Sequence, residues 1–182
     1  SISVHLRGAR TSFTTANEAN NTSYFAADVD GKIVTKDANN RLQLETYVAP
    51  KHSHCVCGTK GCTDHAQVAY QDWTDATALP DSGNWCLETD VAITAEVSVS
   101  SELNLCLNGH KVTGTTGSLR FYSTPNNATA VLNITDCTAK TDNGVYLAGS
   151  ITGAKGCVFY MTGDSSGKQS AVNFYQGVIT GN

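Results

Sequence analysis

Methionine occurs once, proline three times, and only 15% of the 182 residues carry a charge. Lys and Arg number 12 against 16 Asp and Glu, which excludes the basic footprint of a nucleic-acid-binding or bilayer-binding surface. No apolar run approaches the ~20 residues that a helix needs to cross a bilayer, so membrane insertion is not expected. No window of helical length repeats apolar residues at three and four. The segment TDHAQVAYQDWTDATAL (63–79) comes nearest and is expected to hold one short helix or turn. An initiating methionine and a cationic start followed by an apolar stretch are also missing, so the chain is expected to be a mature product or a piece of a longer one.

Thr, Ser, Asn and Gly are plentiful instead. Thr, Val, Ile and Tyr suit half-buried pleated surfaces, and Gly and Asn supply the corners between short strands. In residues 1–49, Ile2, Val4 and Leu6 alternate, and SYFAADVDGKIVTKDANNRLQLETYVA reads as strands broken at Asp30-Gly31 and Asn39-Asn40. This predicts a small antiparallel β module of about three strands. Residues 50–82 hold a Cys/His cluster and a connector. From 83 to 182 the chain keeps a rhythm of short apolar strands ending in Thr-Gly, Asp or Gly: LNLCLNGHKVTG, AVLNITDCTA, GVYLAGSITG, GCVFYMTG and AVNFYQGVITGN. GSITG (149–153) returns as GVITG (177–181), and Phe-Tyr recurs at 121–122, 159–160 and 174–175. Such a period is the mark of a solenoid, whose repeats bury their apolar faces only by stacking. With strands in each repeat, the expected architecture is a parallel β-helix over 83–182; a β-sandwich is the competitor.

The run from HCVCG through GNWCLETDVAITAEVSVSSELNLCLNGHKVTG (54–114) resembles a motif of large cell-surface repeat proteins of Gram-positive gut anaerobes. In that family a Cys/His knuckle precedes a right-handed parallel β-helix. The resemblance covers about residues 50–182 and is most specific at His54-Cys55-Val56-Cys57-Gly58 and Leu105-Cys106-Leu107-Asn108-Gly109. This chain departs from the pattern in Cys86, where an aromatic is usual, and in Cys62, close after the knuckle. The resemblance implies an extracellular, cell-surface module, joined in series to neighbouring modules of a longer chain.

HSHCVCGTKGCTDH (52–65) holds three of the seven cysteines and three of the five histidines. Cys55, Cys57, Cys62 and His65 give C-x-C-x4-C-x2-H, with His54 the substitute ligand should one of the four face away. Thiolate and imidazole donors around a Gly-containing loop suit zinc, and a Cys-rich closed set suits a structural rather than a catalytic ion. Such a staple is expected to cap the first repeat and join it to residues 1–49. A disulfide knot is the rival. Three cysteines on zinc leave Cys86, Cys106, Cys137 and Cys157, an even number, free to pair or to sit reduced in the core. A His54–Cys55 reactive dyad is opposed by adjacency in a strand, which points the two side chains to opposite faces.

Other motifs favour plain structure. GDSSG (163–167) matches G-x-S-x-G but precedes a strand-like stretch and has no later His. DVDG (28–31) lacks the remaining oxygen ligands of a calcium loop. Asn20, Asn21, Asn127 and Asn133 open N-x-[ST] triplets, and His110 reads as a solvent-facing strand residue. Over residues 100–182 the acids are Glu102, Asp136, Asp142 and Asp164, with no pair at one phase of successive repeats. The expected function is therefore a non-catalytic structural or adhesive module. The alternatives are a fragment of a β-helix carbohydrate-active enzyme, or a binding module for a host glycoprotein, an immunoglobulin or another matrix macromolecule.

Overall fold

The computed structural model describes residues 52–123, 130–162 and 170–181, and five short strands before residue 47. The described residues are all β, with no helix. Ser1–Ala49 and Pro50–Asn182 form two compact units.

In the first unit, β1 (Val4–Leu6) pairs in parallel with β3 (Phe25–Ala27). β2 (Ser12–Phe13), β4 (Lys32–Lys36) and β5 (Leu42–Thr46) form an antiparallel sheet in the order β2-β5-β4. The parallel pair departs from the antiparallel module expected; residues 7–24 are long enough for the crossover that parallel pairing requires. The corners at Asp30-Gly31 and Asn39-Asn40 lie outside the described residues.

The second unit opens with an antiparallel hairpin of β6 (His52–Cys55) and β7 (Gln67–Trp73). β7 occupies the segment expected to hold a helix or turn. Tyr70 is fully buried beside exposed Ala69, the period of a strand, and Gln71–Trp73 pair in parallel with the next strand, so sheet pairing decides a segment whose local pattern was indifferent. That next strand, β8 (Gly83–Leu87), is followed by β9 (Val91–Ile93) and β10 (Val97–Ser98), and the three belong to three different sheets. β11 (Glu102–Cys106), β12 (Lys111–Gly114) and β13 (Leu119–Tyr122) then revisit those sheets in the same order, each parallel to the strand one round earlier. β14 (Val131–Thr135) starts a third round beside β11. A hairpin of β15 (Lys140–Asp142) and β16 (Val145–Leu147) intervenes before β17 (Ser150–Thr152) and β18 (Ala154–Tyr160) complete it. β19 (Ala171–Phe174) and β20 (Val178–Ile179) continue two of the sheets into a fourth.

Strand alternation sorts the side chains. Leu103, Leu105, Leu132 and Ile134 face the main core with Val112, Ile151 and Phe121. Burying side chains of this size is worth about 1.5–3 kcal/mol each before conformational costs. GSITG and GVITG lie side by side, Ser150 against Val178 and Ile151 against Ile179. Phe121-Tyr122 and Phe159-Tyr160 are likewise in register, whereas Phe174 sits in another sheet opposite Ile134. Between β17 and β18 the chain turns on Gly153, at φ +78°. A Cβ there would run into the backbone of Gly114, and one on Gly114 into the carbonyl of Gly153, so the two rounds meet through bare backbone.

On the opposite strand phase, Asn84, Asn104, Asn133 and Asn173 stand in register. Each Nδ2 donates to the Oδ1 of the preceding round: Asn104 to Asn84 at 2.7 Å, Asn133 to Asn104 at 2.7 Å and Asn173 to Asn133 at 2.8 Å. Replacing Asn133 by Ala breaks two of these bonds and strands polar groups on both neighbours. The expected loss is about 2 kcal/mol, readable as a lower denaturant midpoint with unchanged slope. An unmoved midpoint would mean that the ladder adds nothing to stability.

Candidate metal centre

The turn between β6 and β7 carries the cluster. Gly58 N–H donates to Cys55 O at 2.8 Å and Cys62 N–H to Thr59 O at 3.2 Å, so two tight turns fold the chain back on itself. Gly58, at φ +74°, leaves no room for a Cβ beside Thr135 Oγ1 and Gln176 Oε1. His65 meets Tyr175 edge-on, with ring centroids 5.4 Å apart. The loop thus packs against strands of the third and fourth rounds, not on the first alone as the sequence suggested.

One donor atom each from Cys55, Cys57, Cys62 and His65 lies within 4.8 Å of the other three, and these four residues could hold a metal ion. Cys55 Sγ is 3.2 Å from Cys57 Sγ, and Cys62 Sγ is 3.3 Å from His65 Nδ1. Cys55 and Cys57 are buried, Cys62 is half-buried and His65 is exposed. Burial, with the neighbouring Cys57 and Cys62 thiols, pushes the Cys55 thiol up to about 11. For Cys57 burial acts in the same sense, but hydrogen bonds from Thr59 and Cys55 outweigh it and lower the thiol. The hydrogen bond to His65 brings Cys62 down to about 6 and raises His65 in return. A lowered thiol carries more thiolate, the nucleophilic form, at neutral pH. In metal-free protein, alkylation of Cys62 by iodoacetamide should therefore reach half its limiting rate near pH 6, and a midpoint near 9 would contradict the Cys62–His65 contact.

His54 sits apart from these four. Its donor atom groups with the sulfurs of Cys106 and Cys137, because alternation along β6 sends His54 and Cys55 to opposite sides. Cys86 and Cys106 are fully buried, Cys137 is half-buried, and Cys157 is exposed on β18. Sequence reasoning left these as core thiols or disulfide partners. The available signal was the N-x-C-L shared by residues 84–87 and 104–107, which fall in register.

Of the remaining candidates, those among the described residues are held in local hydrogen bonds. Asp136 is fully buried; its Oδ1 accepts from the N–H and hydroxyl of Thr138 at 2.8 and 2.7 Å, and its Oδ2 from Gly109 and Gly149 N–H. Glu102 Oε1 accepts from Asn104 and Asn133 at 3.2 and 3.4 Å. His110 Nδ1 is 3.2 Å from Asp90 Oδ1, in the turn between β11 and β12. Asn133, in the ladder, is buried and so unsuited to glycosylation. GDSSG, DVDG and the triplets at Asn20, Asn21 and Asn127 lie outside the described residues. Comparison with known protein families, with curated proteins and with solved structures finds no match.

Proposed function

We propose that residues 83–182 are a right-handed parallel β-helix, preceded by the Cys/His hairpin of residues 50–82, and that the two serve as a non-catalytic structural or adhesive module of an extracellular bacterial surface protein. One zinc ion on Cys55, Cys57, Cys62 and His65 staples it. The observation that carries this reading is the repeated visit to three sheets in one order, each strand parallel to that of the preceding round. Serial stacking of this kind makes a rod, and a rod suits spacing or presenting neighbouring modules. A tetrahedron with Zn–S bonds of about 2.3 Å has edges near 3.8 Å, which donors already gathered within 4.8 Å reach by small side-chain rotations.

The engagement of Asp136 with four donors supports the non-catalytic reading, because a carboxylate held this way is not free to serve as a general acid or base. The adhesive version draws on one feature. Val145, Tyr146 and Leu147 on the β15–β16 hairpin are exposed side by side, an apolar edge that a partner macromolecule would cover. Incubating the chain with a polysaccharide panel should give no cleavage. Turnover abolished by substituting one carboxylate would overturn the reading in favour of a carbohydrate-active enzyme. Saturable binding to a host glycoprotein or immunoglobulin without turnover, lost in Tyr146→Ser, would select adhesion over spacing.

A further inference from the structure

Three more of the seven cysteines converge away from the knuckle. Cys86 and Cys106 are in-register neighbours on β8 and β11, both fully buried. Cys137 follows β14, and its N–H lies 3.4 Å from Cys106 Sγ. The Cys86 sulfur lies outside the 4.8 Å group that Cys106 and Cys137 form with His54, but strand register sets Cys86 directly beside Cys106, the nearest further thiol to that group. His54 arrives from the β6–β7 hairpin and brings a ring nitrogen within 4.8 Å of the Cys106 and Cys137 sulfurs.

The histidine is prepared as a ligand. Its Nδ1 lies 2.8 Å from the Cys55 carbonyl oxygen, a contact that requires the proton on Nδ1, so that the neutral ring carries its lone pair on Nε2. Nε2 is buried and faces no oxygen or nitrogen partner. A backbone carbonyl holding the other ring N–H is the usual support of a metal-bound imidazole. Tyr70 stacks on the ring at 4.3 Å, and its hydroxyl, buried without a partner, belongs to the same cluster as Cys86 and Cys106. Cys86 also approaches His52 and Glu88, but those two engage each other at 3.1 Å.

We infer that Cys86, Cys106, Cys137 and His54 form a second centre for a thiophilic divalent cation of the zinc type, separate from the knuckle and independent of whether the knuckle binds metal. On binding, the three thiols release their protons to solvent and the ion takes three thiolates and one neutral imidazole. The cysteines then divide as three, three and the lone exposed Cys157, in place of the two bridges or four reduced core thiols that the sequence left open. The knuckle ligands lie within residues 55–65, whereas this set reaches from 54 to 137. It ties the hairpin across three successive rounds.

Native mass spectrometry of the full chain, reconstituted with zinc under reducing conditions, tests this. Wild type should carry two ions; Cys62→Ser/His65→Ala should keep one, Cys137→Ser/His54→Ala should keep one, and the combined variant none. A single ion lost with Cys137→Ser/His54→Ala but kept in Cys62→Ser/His65→Ala would uphold this centre and remove the zinc of the knuckle. A single ion with the opposite dependence, or a disulfide among Cys86, Cys106 and Cys137 in protein kept oxygen-free, would overturn it. Should the second variant not fold, cobalt(II) titration of wild type decides: two equivalents with thiolate charge-transfer absorption support the centre, and saturation at one equivalent that Cys62→Ser/His65→Ala abolishes refutes it.

Discussion

Stripping the metal from the chain is expected to lower the unfolding midpoint of residues 50–182 by roughly 8–16 °C. One filled centre, with its ion at a thousandfold excess over the dissociation constant, contributes about 4 kcal/mol, and each kcal/mol moves the midpoint of a chain this size by about 2–4 °C; a second filled centre adds a shift of similar size. Both tryptophans, Trp73 and Trp85, lie in this unit with their rings 5.1 Å apart. Their fluorescence therefore follows it without signal from residues 1–49. The effect should spread beyond the first round, because the knuckle packs on Thr135 and Gln176 and against Tyr175. Loss of its ion frees a loop that covers later strands. A midpoint unmoved by chelator, restored zinc making no difference, would show that neither cluster contributes to folding.

Leu105→Ala should cost about 3–4 kcal/mol, within the 2–5 kcal/mol usual for a large core side chain cut to Ala. Leu105 is fully buried and stands in register between Trp85 and Ile134, so the cavity opens in the middle of a stack and both neighbours lose contacts. Phe174→Ala makes a larger deletion on β19 and should still cost less than half as much, because Phe174 is 36% exposed and has a round on one side only among the described residues. In a stacked array each position matters through its nearest neighbours. Equal costs at the two sites, measured by denaturant titration of tryptophan fluorescence, would point to a single undivided core.

The β character of 83–182 was legible because inward positions repeat at a period of two, as in Leu103, Leu105 and Leu107. The GSITG and GVITG echo marked strands that now lie in register. Phe-Tyr was a weaker guide. Two copies align, but Phe174 falls in a different sheet, since a dipeptide carries no information on which face of a round it occupies. β7 was misread as helix or turn because its pairing partners, in β6 and β8, settle a sequence without strong preference of its own.

The two clusters differ in the same way. Cys55, Cys57, Cys62 and His65 were visible together because a turn of eleven residues contains them all. Cys86, Cys106 and Cys137 were scattered over fifty-two residues and looked like core thiols. Strand register brings Cys86 beside Cys106, and the path of the hairpin brings His54 to Cys106 and Cys137. Neither is encoded in a local spacing.

X-ray absorption at the zinc edge, on full chain purified without chelator, addresses the metal staple most directly. The coordination shell should contain three sulfurs at about 2.3 Å and one nitrogen at about 2.0–2.1 Å, and the same ratio holds whether one Cys3His centre or two are filled. A shell of oxygen and nitrogen only, or protein free of zinc with Cys55 and Cys57 oxidised to a disulfide, would contradict the account.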